Sequence, residues 1–296
     1  MNDQKKKICA VVLSAGRGRR MESAVQKQYM CLNGKPMIAH TLAAFERSCV
    51  DEIILVAGAG EEEYCRKEIV EAEGFRKVKT VVTGGKERYD SVFAGLKAAS
   101  GCDYVLIHDG ARPCVTEEII RHAAVGAEQY GACVVGMPVK DTIKVADKEG
   151  YASHTPDRSY LWMVQTPQAF SYDLVYGAYE KLFREQEFTG VTDDAMVVER
   201  ETSQKVKLIP GSYKNIKVTT PEDLAIAAAK TGRVIYVANE KSKFMIDTAI
   251  ENGKLKLPDQ EIFVPSIEEL DKLKPDQTII LHVGQPGEAM LSLQKI

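Results

Sequence analysis

Short apolar runs alternate with helix-period stretches along most of this chain, and that alternation restricts its fold more than any other feature. The runs fall at residues 8–13, 53–56, 78–82, 104–107 and 133–137. Between them lie helix candidates at 36–47, 61–71, 89–99 and 116–129. In the last, Thr116 precedes two acidic residues and then apolar Ile119, Ile120 and Ala123, which is an amino-terminal signature. Strand–helix alternation at this spacing predicts an α/β fold, a doubly wound, mostly parallel sheet with helices on both faces. Sheets of that kind bind ligands outside the carboxyl ends of their strands. Chemistry is therefore expected in the loops that follow the apolar runs.

Composition narrows the partners. With 296 residues, 45% hydrophobic and 27% charged, the chain is neither disordered, collagen-like nor a small disulfide scaffold. There is room for one large α/β domain, or a main domain with an appendage. Lys and Arg number 39 against 42 Asp and Glu, a net charge of −3. No global field draws such a chain to nucleic acid or an acidic membrane, so neither partner is expected. Attraction for an anion must come from a local cluster of cations. The seven cysteines (9, 31, 49, 65, 102, 114 and 133) are odd in number and nowhere spaced C-x-x-C. They read as reduced thiols of a cytoplasmic protein. No stretch approaches the roughly eighteen apolar residues of a spanning helix. Lys5 to Lys7 before the first run imitate a secretion signal, but Arg17, Arg19 and Arg20 stand where such a signal needs small neutral residues.

Residues 140–163 interrupt the alternation with short polar pieces around an Asp-Lys-Glu-Gly turn at 147–150. The expected structure is a projecting hairpin arm over about residues 140–164, suited to a subunit contact. The alternation returns with a helix at 173–184, a strand at 205–209 and a helix at 221–230. Thr220 is expected to cap that helix, Pro221 to be its first residue, and Glu222 and Asp223 to fill its acidic first turn. Gly232 closes it. Residues 233–296 carry three apolar runs (234–237, 262–264, 279–283) and helix candidates at 243–250 and 267–273. The expected division is a main domain over 1–232 and a small α/β extension over 233–296, whose role the residues do not reveal.

Four loops carry candidate chemistry. The first reads Ser14-Ala15-Gly16-Arg17-Gly18-Arg19-Arg20-Met21, with Lys27 close behind. A glycine turn after a first strand brings backbone N–H groups near a phosphate. Met21 stands where a dinucleotide fingerprint needs its third glycine, and no Gly-Lys-Ser/Thr follows, so neither that fingerprint nor a P-loop is present. Four cations at 17, 19, 20 and 27 suit a triphosphate, the alternative being a solvated basic turn. The second loop pairs Gly84 and Gly85 with Lys86, Arg88 and Ser91. The third follows the run at 104–107 and reads His108-Asp109-Gly110-Ala111-Arg112-Pro113. An aspartate at the tip of a buried strand must be paired or hold a metal, so Asp109 either binds a divalent cation or forms a salt bridge to Arg112. His108 reads as a packed histidine rather than a ligand. Asp193 and Asp194 have the look of metal ligands, but after Thr192 they more readily open a helix. The fourth loop spans 214–223; Ile216 and Val218 should share one side of a short strand and Lys217 the other, and if that side is the cleft Lys217 meets the first-loop cations at one phosphate.

In order and spacing these motifs resemble those of the 2-C-methyl-D-erythritol 4-phosphate cytidylyltransferase family, across about residues 7–231. The resemblance rests on A-G-x-G-x-R-M at 15–21, Lys27-Gln28-Tyr29, Gly84-Gly85 with Arg88 and Ser91, and His108 to Pro113. It continues through Pro138-Val139-Lys140-Asp141-Thr142, Asp157-Arg158, Gln165-Thr166-Pro167-Gln168 and Asn215 to Thr219. It implies a Rossmann-like nucleotidyltransferase that moves CMP from CTP to methylerythritol phosphate in non-mevalonate isoprenoid synthesis. It further implies that Arg20, Lys27 and Lys217 act on the triphosphate as catalytic groups. Ala15, Gly16, Gly18, Gly84, Gly85, Arg88 and Ser91 would form the nucleotide pocket, with Mg²⁺ near Asp109. Arg112, Thr142, Arg158 and Thr166, with Asp109, match positions that meet the sugar phosphate. In the family the Thr142 and Arg158 equivalents come from a neighbouring subunit's arm, so a homodimer is implied. Two departures stand out: Gln26 replaces a usual proline, which should loosen the loop, and Ser14 replaces alanine or proline. Two other readings remain: transfer to ribitol 5-phosphate, giving CDP-ribitol, and a nucleotide sensor without catalysis.

Overall fold

A computed structural model describes residues 5–16, 26–184, 190–231, 233–237, 261–264 and 278–282 of the chain. Its centre is a seven-stranded sheet. In chain order the elements are β1 (Ile8–Ser14), the short hairpin β2 (Cys31–Leu32) and β3 (Lys35–Pro36), α1 (Met37–Arg47), β4 (Glu52–Ala57) and α2 (Glu62–Tyr64), which runs on as a π-helical turn, Cys65–Glu71. Then come β5 (Val78–Thr83), α3 (Arg88–Ala98), β6 (Tyr104–Asp109), α4 (Glu117–Tyr130) and β7 (Ala132–Pro138). The arm strands β8 (Val145–Ala146) and β9 (Ala152–His154) lead to β10 (Trp162–Ser171), α5 (Tyr172–Arg184), α6 (Asp194–Glu201), β11 (Lys207–Pro210) and α7 (Pro221–Thr231). A separate parallel sheet of β12 (Arg233–Val237), β13 (Glu261–Val264) and β14 (Thr278–His282), with β12 central, follows.

The main sheet has the order β11-β7-β10-β6-β1-β4-β5. Every neighbouring pair is parallel except those of β10, which runs antiparallel to both β6 and β7. The expected doubly wound, mostly parallel sheet is thus present, with one reversed strand that periodicity did not announce. Because β10 is reversed, Trp162 to Val164 belong to the sheet and the arm ends before them, earlier than the expected residue 164. The arm itself folds as expected. Asp147 Oδ1 accepts from the amides of Glu149 and Tyr151, and Gly150 takes φ +89°, a value that favours glycine. The short strand expected around Lys217 does not form; residues 215–219 belong to no strand, and the Val218 amide donates to Ala111 O at 2.8 Å.

Alternate residues of β1 feed opposite faces: Ala10 and Val12 pack beneath α1 and α4, Cys9 and Val11 beneath α3 and α5. Contact with α3 is close. A Cβ placed on Gly95 would lie 2.3 Å from Val11 Cγ1 and 3.0 Å from Val56 Cγ2. Alanine is the better helix former, yet overpacking here is expected to cost about 1–3 kcal/mol. Gly95→Ala should therefore melt a few degrees below the wild type; an equal or higher melting temperature would show that α3 does not press on the sheet as described.

The helix ends follow their residues. Thr116 Oγ1 accepts from the Ile119 amide, and Gly131 takes φ +75° beyond α4. Thr220 Oγ1 accepts from the Asp223 amide at 3.4 Å while Asp223 Oδ2 accepts from the Thr220 amide at 3.0 Å, a reciprocal cap ahead of Pro221. No described helix is long and apolar enough to cross a membrane. The seven cysteines are all free thiols. Helix candidates 243–250 and 267–273, and Gly232, lie outside the described residues.

Candidate active site at the carboxyl edge of the sheet

Asp109 closes β6 at the carboxyl edge, with only 8% of its surface exposed. A lone carboxylate so placed is unfavourable, and three cations gather on it. Lys217 Nζ lies 2.7 Å from Oδ2, Arg88 Nε 3.3 Å from Oδ1 and Arg112 Nε 3.9 Å from Oδ2. Burial alone would raise this carboxyl's pKa, but the charges of Arg88 and Lys217 outweigh burial and hold it well below the usual carboxylate range. The salt bridge to Arg112 is therefore real but is the longest of the three. Arg112 is anchored by donating from Nη1 to Asn215 O at 2.8 Å, and burial pushes its own pKa down.

Asn215 in turn donates to Thr166 O at 2.8 Å, which ties the stretch before Lys217 to the start of β10. Since β10 runs backwards, its opening residues lie level with the end of β6, as the Gln168–Ile107 pairing shows. Thr166 Oγ1 accepts from the Asp109 amide at 3.2 Å and meets His108 Nδ1 at 3.0 Å. His108 Nε2 faces Arg112 O at 3.5 Å, so Nε2 carries the proton and Nδ1 accepts from the Thr166 hydroxyl. Burial lowers the His108 pKa to about 3 and keeps the ring neutral. It is a packed, hydrogen-bonded histidine, as expected.

Lys27 approaches the same region from the other side, donating to Val218 O at 3.3 Å, next to Lys217. The two lysines, 190 positions apart in sequence, thus flank one short backbone segment. Arg20 and Gly18, with the rest of 17–25, lie outside the described residues. The Gln26 side chain donates to Glu61, and Gln28 Nε2 donates to Gln26 Oε1 at 2.5 Å and to Ser14 O at 2.7 Å. These contacts fasten the end of β1 to the residue that replaces proline.

The second glycine loop packs against the first. A Cβ on Gly84 would sit 2.4 Å from Ala15 Cβ and 2.8 Å from Ser91 Oγ, whereas one on Gly16 would meet nothing within 4 Å. Ser91 Oγ accepts from the Gly85 amide at 3.1 Å and donates to Glu87 O at 3.2 Å. Ala15, Gly84, Gly85 and Ser91 are thus one cluster, with Gly16 facing open space. A cleft of about 240 Å³ is lined by Arg88, Asp109, Arg112, Thr166 and Lys217, among others.

Thr142 and Arg158 are not brought to this cleft within one chain. Both sit on the exposed arm, where Arg158 Nη1 donates to Lys140 O at 3.0 Å. Asp193 and Asp194 open α6, as the helix reading of them anticipated; Asp193 Oδ1 caps the Met196 amide at 2.9 Å. The residue that sequence reasoning missed is Asp194 as partner of Arg88, whose two Nη atoms each lie 2.8 Å from its carboxylate. Among the described residues no three His, Cys, Asp or Glu side chains converge as a metal cage.

Parallel strands ending in glycine turns, with a buried carboxylate and several cations rather than thiol or acid–base machinery among the described residues, are those of a Rossmann-like nucleotidyltransferase. The family model for 2-C-methyl-D-erythritol 4-phosphate cytidylyltransferase (IspD) matches residues 8–233. The chain belongs to that family. It is 54% identical to the 2-C-methyl-D-erythritol 4-phosphate cytidylyltransferase of Lachnospira eligens, over 74% of this chain and 96% of that one. Identity to the protein of the same name from Alkaliphilus oremlandii is 49%, over 75% and 93%. Among solved structures, 4-diphosphocytidyl-2C-methyl-D-erythritol synthase from Anaerococcus prevotii superposes with a TM-score of 0.66 at 36% identity, covering 76% of this chain and 95% of its own.

Proposed function

We propose that this protein transfers the cytidylyl group of CTP to 2-C-methyl-D-erythritol 4-phosphate, releasing pyrophosphate and giving 4-diphosphocytidyl-2-C-methyl-D-erythritol. The observation that carries the proposal is the gathering of Lys217, Arg88 and Arg112 on Asp109 beside the paired glycine loops, in a chain whose relatives bear that activity in their names.

In this reaction a phosphate oxygen of the acceptor attacks the α-phosphorus of CTP, and the bond from that phosphorus to the pyrophosphate oxygen breaks. A phosphate monoester has its second pKa near 6, so the nucleophile is already ionised at neutral pH and requires no general base. The neutral His108, and the lack of a serine–histidine pair among the described residues that line the cleft, agree with that. The barrier is repulsion between anions, about 4 kcal/mol for each pair of unit charges 4 Å apart at an effective dielectric of 20. Lys27, Lys217 and Arg20 supply the opposing charge, so catalysis consists of positioning and electrostatic stabilisation. Ala15, Gly16, Gly18, Gly84, Gly85, Arg88 and Ser91 form the nucleotide pocket in this reading. Arg112 and Thr166, fixed beside Asp109, receive the sugar phosphate.

Asp109 fits a Mg²⁺ ion. It is one ionised carboxylate at a cleft, and Mg²⁺ commonly takes one or two protein carboxylates and completes its shell with substrate phosphates and water. Asp109 would hold the ion, which would draw charge from the triphosphate, and Lys217, 2.7 Å from Asp109 Oδ2, stands beside that position to meet the phosphate.

The arm supports a homodimer. Tyr151 and Tyr160 on it are 71% and 82% exposed, and Thr142 and Arg158 are exposed on the same arm rather than among the residues that line this chain's cleft. A second copy whose arm crosses to this cleft would bury those tyrosines and complete the acceptor site. The reaction is tested by pyrophosphate release from CTP with each acceptor. Methylerythritol phosphate should be turned over at least about tenfold faster than ribitol 5-phosphate, since a site built around one substrate's hydroxyls discriminates strongly. The reverse preference would establish CDP-ribitol synthesis, and no release with either would leave a nucleotide-binding protein without this activity.

A further inference from the structure

Arg88 is the most committed cation of the site. Nη1 and Nη2 each donate to one oxygen of Asp194 at 2.8 Å, while Nε donates to Asp109 Oδ1 at 3.3 Å. Asp194 has no exposed surface and does not line the cleft. Its carboxylate bonds Tyr179 and Arg88, and of these Arg88 lines the cleft, so the carboxylate's influence on a ligand runs through Arg88. Tyr179, also fully buried, donates its hydroxyl to Asp194 Oδ1 at 2.6 Å. The backbone is held too: the amides of Asp194 and Ala195 donate to Gln168 Oε1 at 3.1 and 2.9 Å, and Gln168 Nε2 donates to Asp193 Oδ2 at 3.0 Å. The start of α6 is thereby fastened to β10, and a buried line runs from Tyr179 through Asp194 and Arg88 to Asp109.

Counting charges gives this line a purpose. The guanidinium is shared between two carboxylates, forked onto Asp194 and singly bonded to Asp109, so Arg88 orients Asp109 Oδ1 while cancelling only part of its charge. The other oxygen, Oδ2, is left to face Lys217 and Arg112 at the cleft. With Asp194 neutral, the guanidinium would carry an uncompensated charge and draw Asp109 into a closed pair, turning the carboxylate from the cleft. We infer that Asp194, held by Tyr179 and Gln168, is a positioning residue of the nucleotide site, which through Arg88 sets the direction and the free charge of the Asp109 carboxylate. This inference rests on the proposed reaction in taking CTP as the ligand.

The test is a calorimetric titration of the full chain with CTP in Mg²⁺, on wild type, Asp194→Asn, Arg88→Gln and the double variant, with melting curves and pyrophosphate release in parallel. Loss of a hydrogen-bonded charge predicts about tenfold or more weaker CTP binding for Asp194→Asn. Because Asp194 acts through Arg88, the double variant should bind no more weakly than Arg88→Gln alone. Wild-type affinity in a folded Asp194→Asn, or a double variant whose loss is the product of the two single losses, overturns the inference. Should Asp194→Asn fail to fold, Tyr179→Phe decides: about two- to fivefold weaker binding is expected, vanishing in the Arg88→Gln background, and wild-type affinity overturns. A wild type that binds CTP but releases no pyrophosphate overturns the reaction alone; one that binds no CTP overturns both.

Discussion

Lys217→Ala is expected to leave the fold intact and to lower the turnover of CTP by about 10²–10³-fold, the usual loss when one preorganised partner of developing charge is removed. Lys217 is part-exposed and pairs with Asp109 at the cleft, so little of the core depends on it. Its neighbour Asp109 retains Arg88 and Arg112 in the variant, which keeps the buried carboxylate paired. Lys27→Ala should behave alike, because Lys27 reaches the same segment through Val218 O. Steady-state pyrophosphate release, with circular dichroism of each purified variant, makes the measurement. Near-normal turnover in either one would show that these cations do not face the reacting phosphates.

Asp109→Asn is expected to be harmful in two ways. The substitution keeps the shape but leaves Arg88, Arg112 and Lys217 around a neutral amide. Removing one member of a buried charge cluster generally costs about 3–5 kcal/mol, and the partial exposure of Lys217 and Arg88 places this case toward the low end. Turnover should fall by at least about 10²-fold, since the proposed metal ligand is lost as well. Asp109→Asn should therefore melt clearly below the wild type, and added Mg²⁺ with CTP should raise its melting temperature far less. A variant that melts like the wild type and gains as much from Mg²⁺ and CTP would refute both the charge cluster and the metal assignment.

Much of this site could be read from residue order because each piece obeys a local rule. A glycine pair after a strand, an aspartate at a strand tip and a Thr-Pro-Glu-Asp helix start are all short-range signals, and the structure places them as those rules require. β10 was not legible, for a physical reason. Gln165, Thr166 and Gln168 are buried polar residues whose partners are the site itself, so the strand carries neither an apolar run nor a clean alternation. Lys217 lines the cleft, the conditional outcome of its alternation with Ile216 and Val218, but on no strand, since its segment is held by side chains such as Asn215 rather than by a ladder. The Asp194–Arg88 pair spans 106 positions and has no periodic trace. The one available signal was that an acid destined for burial at a helix start needs a cation somewhere.

The reversed strand has a mechanical consequence. Only a few peptide units, from Trp162 to Thr166, separate the root of the arm from the hydroxyl that holds the Asp109 amide. A pull at that root has nowhere to dissipate before it reaches Thr166, whereas a change at the tip, around Gly150, is absorbed by a two-strand hairpin standing clear of the body. Lengthening or trimming the tip should leave the core untouched, while a single residue inserted between 162 and 166 would shift the register against β7 and tilt the catalytic edge with it.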